Sequence, residues 1–214
     1  MPPEGYVLAF DTSAAHCAAA LLFGDRVVDH EVAEMGTGQA EALMPMLEAM
    51  LARASLAWHD LGALGVGTGP GNFTGVRIAV AAARGLALGL GIPAVGVTAL
   101  EAQAVGTNGP CLSLADARRG AVYAQALPGG AARLCTLEQA VQTAEPGVTC
   151  LGHRADEAAA LLGGRAAEPA HPLAVAIGIL AEARRHDGAD RPVPFYLRGA
   201  DAAPPSDSPP VILA

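Results

Sequence analysis

Three residues with oxygen-bearing side chains, Asp11, Thr12 and Ser13, follow the first strand-like run of the chain. A carboxylate beside two hydroxyls at a strand end can face a nucleotide phosphate and its Mg²⁺. The same residue types are also common in ordinary turns, where they cap the backbone. The triplet alone therefore leaves a phosphate site and a simple turn cap both open.

A glycine-rich segment at residues 67–78, which reads GTGPGNFTGVRI, is more specific. Glycines let a backbone turn tightly and approach a ligand, Thr74 is placed to cap the helix that follows, and free N–H groups at a helix start attract anions. The segment is neither a Walker A loop nor a dinucleotide-binding GxGxxG. An anion-binding turn at Gly69, Gly71, Asn72 and Thr74 and a purely structural turn fit it equally well.

The sequence lacks the common metal and hydrolase motifs. Its six histidines never form HExxH or HxxxH, its four cysteines form no CxxC, and we interpret each histidine as a surface or turn residue. There is no GxSxG, and Ser13 has no histidine partner at a recognisable offset. We therefore predict no catalytic residues, no bound metal and no tightly bound cofactor.

Composition restricts the class of protein. The formal net charge of -8, from 13 Lys and Arg against 21 Asp and Glu, repels a phosphate backbone and argues against direct nucleic-acid binding. The scattered cysteines and the absence of a basic signal-peptide region predict a cytoplasmic protein. The longest apolar stretch, 78–90, is interrupted by Arg84 and is shorter than the roughly 20 residues of a membrane span, so we expect no membrane contact.

The elements that must position these residues follow from hydrophobic periodicity. In the first half, strands are predicted at 6–12, 17–23, 26–33, 63–67 and 92–97, with helices at about 39–54 and 75–90. In the second half, strands are predicted at 111–115, 121–126 and 148–152, with helices near 137–143, 155–162 and 172–185. No internal repeat is evident. We predict a first lobe at 1–105, a smaller lobe at 106–200 and a loosely ordered tail at 201–214.

The helix predicted at 75–90 is apolar on more than one face, since its only charged residues are Arg77 and Arg84. One flank is expected to cover the sheet, namely Val76, Val80, Ala83, Ala87 and Leu90. The opposite flank needs another cover and consists of Ile78, Ala81, Ala82, Gly85, Leu88 and Gly89. Its small residues would let a second helix approach closely. That helix belongs either to a partner protein or to the same lobe, at about 39–54.

Several separated motifs together resemble the TsaB family of bacterial proteins. They are Asp11-Thr12-Ser13, then 41–45 and 69–78, followed by 116–123 and, more weakly, 196–198. The resemblance implies an α/β, actin-like ATPase (ASKHA, ribonuclease H-like) fold with two lobes, the second one reduced. It also implies a role in making N6-threonylcarbamoyladenosine (t6A) at position 37 of tRNAs that read codons beginning with A.

The same resemblance implies that the chain is a non-catalytic partner. TsaB-like proteins pair with a catalytic TsaD-like paralogue through two first-lobe helices, work with a TsaE-like ATPase, and reach tRNA only through the complex. Leu43, Met46 and Met50 then join the 75–90 flank as partner-binding residues, and a homodimer is expected when the chain is alone. The resemblance leaves ATP or ADP binding open at the interface with partners. The second lobe departs from an active ATPase, since only Gly163-Gly164 offers a further glycine loop. The alternative is a stand-alone enzyme of this fold, either a small-molecule kinase or an M22-type metallopeptidase.

Overall fold

The computed structural model describes residues 5–187 and 191–197, where the strands form two five-stranded sheets. The first sheet contains β1 (Tyr6–Asp11), β2 (His16–Phe23), β3 (Arg26–Glu34), β4 (Leu61–Gly67) and β5 (Ala94–Val97). The second contains β6 (Cys111–Asp116), β7 (Val122–Leu127), β8 (Arg133–Cys135), β9 (Thr149–Gly152) and β10 (Arg165–Ala167). The helices are α1 (Gln39–Arg53), α2 (Phe73–Leu90), α3 (Ala99–Gln103), α4 (Leu137–Val141), α5 (Ala155–Leu162) and α6 (Leu173–Arg184). The tail predicted at 201–214 lies outside the described residues.

The two sheets share one topology. The first has the order β3-β2-β1-β4-β5 and the second the order β8-β7-β6-β9-β10. In each, three antiparallel strands are followed by two strands that add in parallel. Parallel neighbours require crossover connections, which α1 and α2 supply in the first lobe and α4 and α5 in the second. The chain is thus a structural duplication without a sequence repeat, because burial pattern rather than residue identity specifies each strand.

The central strands β1 and β4 are almost entirely buried. Parallel strands covered on both faces are continuous apolar runs, as these two are. On one face, α1 and α2 pack around Leu8, Phe10 and Leu64. On the other face, α6 packs around Val7 and Ala9.

The position of α6 corrects the predicted lobe boundaries. The sequence assigned 106–200 to the second lobe, but α6 contacts β1, β2 and β4 of the first sheet. Gly178 permits this contact, because a Cβ there would overlap the Leu22 side chain. Conversely, α3 follows the first sheet and contacts β6 and β7 of the second. Because α1 and α2 cover only one face of the first sheet, its other face needs a helix from later in the sequence. The chain therefore returns from the second lobe to the first sheet at α6.

The remaining differences from the predicted elements are in the shortest segments. The sequence did not predict β8, β10 or α3, which are three, three and five residues long and too short for a periodic signal. The second lobe has as many strands as the first. Its reduction lies in the length of its elements.

Candidate functional site

A cleft of about 930 Å³ lies between the two lobes, at the carboxyl ends of the central strands. Its walls include Ser13 and His16 after β1, Asn72 at the start of α2, Arg118 in the β6–β7 hairpin, and Tyr196 near the end of the described chain. Ligands of open α/β sheets characteristically bind at this edge. If the polar residues predicted from the sequence bind a ligand, their side chains should face this cleft.

Asp11, the last residue of β1, is only 1% exposed. Its Oδ1 atom lies 2.9 Å from the Ser13 backbone N, 2.9 Å from Ser13 Oγ and 2.8 Å from His16 Nε2. Its Oδ2 atom has no hydrogen-bond partner among the described residues and lies against Gly67, where a Cβ would overlap it. The carboxylate is thus held by its own neighbours instead of being presented to the cleft.

His16 is a site residue that was not predicted from the sequence, where every histidine fitted a surface or turn position. Its side chain is 16% exposed and begins β2, which pairs antiparallel with β1. The pKa of His16 is raised above its ordinary value, chiefly because Asp11 accepts its hydrogen bond, with further attraction from the charges of Asp11 and Glu34. The sequence did contain a signal for this contact. A tight turn between two strands brings a histidine that begins the second strand close to an aspartate that ends the first.

Protonation of His16 is expected to stabilise the fold. Because the folded-state pKa is raised, this contribution is complete below the unfolded value near 6.5 and is lost as the pH rises through the folded value. The free-energy advantage of the wild type over His16→Gln should therefore shrink as the pH rises above about 6.5. Denaturant unfolding between pH 5.5 and 8.5 measures it, with His59→Gln, at an 83% exposed side chain, as the matched control. A pH-independent difference would contradict the expectation.

A hydrolase triad contains the same residue types as this cluster of Ser13, Asp11 and His16. The hydrogen bonds, however, connect them in a different order. In a triad, the histidine lies between serine and aspartate and accepts the serine proton. Here both Ser13 Oγ and His16 Nε2 contact the same Asp11 oxygen, so the imidazole is not positioned to deprotonate Ser13. The arrangement anchors the turn between β1 and β2.

The glycine-rich segment packs backbone to backbone against that turn. Gly75 touches the Thr12 carbonyl and Gly71 touches the Ser13 carbonyl, so closely that a Cβ at either glycine would overlap the oxygen. The Thr12 hydroxyl donates a hydrogen bond to the Gly75 carbonyl at 2.7 Å, and the Asn72 N–H donates to the Ser13 carbonyl at 2.6 Å. These two glycines therefore serve close packing of two turns.

Asn72, and not Thr74, caps α2. Its Oδ1 atom accepts hydrogen bonds from the backbone N–H groups of Thr74 at 3.0 Å and Gly75 at 3.2 Å. The sequence prediction that Thr74 is the cap is wrong, because Thr74 lies inside the first turn of the helix. The Asn72 side chain already satisfies two of the N–H groups that an anion would use.

Removal of the Asn72 cap should measurably lower the free energy of unfolding. Asn72→Ala is expected to lower the free energy of unfolding by about 1 kcal/mol, because two N–H groups lose their acceptor. Thr74→Ala, two residues away in the same turn, should change it little. Urea unfolding of both variants tests the assignment, and a larger loss for Thr74→Ala would reverse it.

The other glycines singled out in the sequence have conformational roles. Gly69 has a φ of 90°, a left-handed conformation that favours glycine. Gly163, with a φ of 63°, is the C-cap of α5, and Gly164 packs on the Val148 carbonyl. The Gly163-Gly164 pair therefore ends a helix and does not form a second phosphate loop.

The outward flank predicted for α2 is solvent-facing in this chain. Ala81, Gly85, Leu88 and Gly89 are exposed, while Ile78 and Ala82 are half-buried. Leu88 is 81% exposed, and a Cβ built at Gly85 or Gly89 meets no atom within 4 Å. By length and composition alone α2 could also cross a membrane, a test that core helices pass too, and its buried stripe packs on the first sheet.

The predicted partner-binding residues of α1 are wrongly assigned. Leu43, Met46 and Met50 are 1%, 8% and 0% exposed and belong to the core of the first lobe. Periodicity identified the apolar stripe of α1 correctly, but the first sheet covers it. The exposed side of α1 consists of Ala40, Glu41, Pro45, Glu48, Ala49, Ala52 and Arg53.

Residues 5–187 and 191–197 contain no cluster of three or more His, Cys, Asp or Glu side chains able to hold a metal ion. The predicted absence of a tightly bound metal remains a prediction, which elemental analysis of the purified protein would test.

Two tandem sheets of one topology, with a cleft at the carboxyl ends of their central strands, define an actin-like ATPase (ASKHA) fold. A family model described as "TsaD: tRNA N6-adenosine threonylcarbamoyltransferase" matches residues 36–148, just over half of the chain. Among solved structures, YeaZ from Pseudomonas aeruginosa matches with a TM-score of 0.67 and 26% identity, over 90% of this chain and 100% of that chain. The chain belongs to the TsaD-type family, within which it is a TsaB-type protein.

Two relatives illustrate the extent of the similarity. An uncharacterized protein of Mycobacterium tuberculosis is 36% identical over 200 residues, which cover 92% of this chain and 94% of that protein. The tRNA threonylcarbamoyladenosine biosynthesis protein TsaB of Escherichia coli is 38% identical over 122 residues, or 55% of this chain and 52% of that protein. The alignment thus spans about half of the E. coli protein.

Proposed function

We propose that this protein is the non-catalytic partner of a TsaD-type subunit that makes t6A at position 37 of tRNAs reading codons that begin with A. The observation that carries the proposal is the exposed, small-residue flank of α2, a helix whose other side is anchored in the first lobe. The similarity to named TsaB proteins supports the choice of pathway. A cytoplasmic location and a TsaE-type ATPase as further partner belong to the same proposal.

The non-catalytic role is supported by the burial of the Asp11 carboxylate beneath the cleft. Phosphoryl chemistry in this kind of cleft needs an acidic side chain that can reach a metal-bound phosphate. Asp11 is buried, three polar atoms surround its Oδ1, and its Oδ2 is enclosed by the protein. We propose that any ATP or ADP binds where this chain meets its partners.

The partner role is supported by the shape of the α2 flank. The absence of side chains at Gly85 and Gly89 would let a partner helix approach closely, and Leu88 supplies an exposed apolar group at the centre. Without the paralogue, we propose that a second copy of the chain covers the flank in a two-fold dimer. The acidic net charge of -8 supports contact with tRNA through the complex and not through this chain.

Reconstitution tests the proposal. The chain and its TsaD-type paralogue, each alone and together, are incubated with TsaE-type ATPase, ATP, threonylcarbamoyl-adenylate and tRNA, and t6A is measured by mass spectrometry of digested tRNA. We expect modification over repeated cycles only when both proteins are present. Modification by this chain alone, or robust kinase or peptidase activity of the isolated chain, would instead support a stand-alone enzyme.

A further inference from the structure

The segment 192–197 lies across the carboxyl ends of β4 and β5, at the mouth of the cleft. The Phe195 N–H donates a hydrogen bond to the Thr68 carbonyl at 2.8 Å. Pro192 is buried, and its Cβ lies 3.3 Å from the position that a Cβ on Gly96 would occupy. This part of the segment is thus fastened to the first lobe.

Tyr196 is fastened to the first turn of α2. Its hydroxyl accepts a hydrogen bond from Arg77 Nε at 2.8 Å, and its ring centroid lies 5.1 Å from that of Phe73. The Arg77 guanidinium carbon lies 3.7 Å from the Phe73 ring centroid, so the cation stacks within the same cluster. Aromatic and cation–π contacts of this kind stabilise the arrangement beyond simple burial.

Leu197, the next residue, reaches the second lobe. It packs against a small apolar cluster formed by Leu100 of α3, Ala117 of the β6–β7 hairpin and Tyr123 of β7. Three consecutive residues therefore contact three separate parts of the molecule, which are the glycine-rich turn, the start of α2 and the second lobe.

We propose that residues 192–197 act as a strap that ties the first turn of α2 to the second lobe and so fixes the width of the cleft and the orientation of α2. A surface segment that merely covers the cleft would stabilise only the atoms beneath it. A strap couples its two attachment points, because release of either end frees the other.

Hydrogen exchange of the full chain distinguishes the two cases. Tyr196→Ala and Leu197→Ala each remove one attachment, and each is expected to speed amide exchange about three- to tenfold in both 68–77 and 115–123, through local opening. Val193→Ala is the matched control, since Val193 lies in the same segment and is 63% exposed. Its exchange should equal that of the wild type.

The proposal is overturned if Tyr196→Ala changes amide exchange only in 68–77 and Leu197→Ala only in 115–123. It is also overturned if the exchange rates of both variants equal those of Val193→Ala. Tyr196→Phe is the second test should an alanine variant unfold. It retains the ring and loses only the hydroxyl that Arg77 contacts. We expect a smaller increase in the same two regions, and an unchanged exchange rate in 115–123 would contradict the coupling.

Discussion

Replacement of Gly75 with alanine is expected to lower the free energy of unfolding by about 3 kcal/mol or more. The new Cβ would overlap the Thr12 carbonyl oxygen, and both groups belong to the backbone of buried elements. No side-chain rotation can relieve such an overlap. The start of α2 would have to move away from β1, which would also break the 2.6 Å hydrogen bond between Asn72 N and the Ser13 carbonyl.

Gly85→Ala is the matched control in the same helix. A Cβ at Gly85 meets no atom within 4 Å, so the substitution adds no contact and improves helix propensity. It should raise the free energy of unfolding by about 0.5–1 kcal/mol. Guanidinium unfolding of dilute protein, where self-association through the α2 flank does not contribute, measures both variants by circular dichroism. Equal effects at the two positions would mean that the close contact at Gly75 does not determine stability.

Leu88→Asp is expected to weaken binding of the TsaD-type paralogue about thirtyfold or more, as for loss of about 2 kcal/mol at an interface centre. Leu88 is 81% exposed, and its burial against a partner would leave an aspartate charge unpaired and desolvated. Gly85→Leu should weaken the same contact by preventing close helix approach. Both changes should also weaken the two-fold dimer proposed for the isolated chain.

Leu161→Asp is the matched control for binding. Leu161 is a 60% exposed leucine on α5 of the second lobe, so the substitution makes the same chemical change on another surface. Isothermal titration calorimetry measures paralogue binding and analytical ultracentrifugation measures self-association. Normal binding by Leu88→Asp would place the interface elsewhere. Retained binding by Gly85→Leu would mean that the partner does not approach α2 closely at this position.

Short-range patterns in the sequence were sufficient to predict several features of the protein. Motif order predicted the TsaB-type family, and periodicity predicted strands close to β1, β2 and β3 as well as the buried and exposed flanks of α2. These features depend on residues within about two helical turns or a few strand positions of each other. The same reasoning failed for α1, because periodicity identifies an apolar stripe but not the surface that covers it.

Contacts between residues far apart in the chain were decided only by the tertiary structure. The sequence placed Asp11 and Gly75 in local contexts typical of turns. It did not determine that Gly75 would touch Thr12, that His16 would hold Asp11, or that Tyr196 would meet Arg77 119 positions earlier. These contacts arise when both faces of each sheet must be covered and the chain returns from the second lobe to the first. That requirement concerns whole sheets and the helices that cover them. Its outcome therefore cannot be predicted from the pattern of residues within one segment.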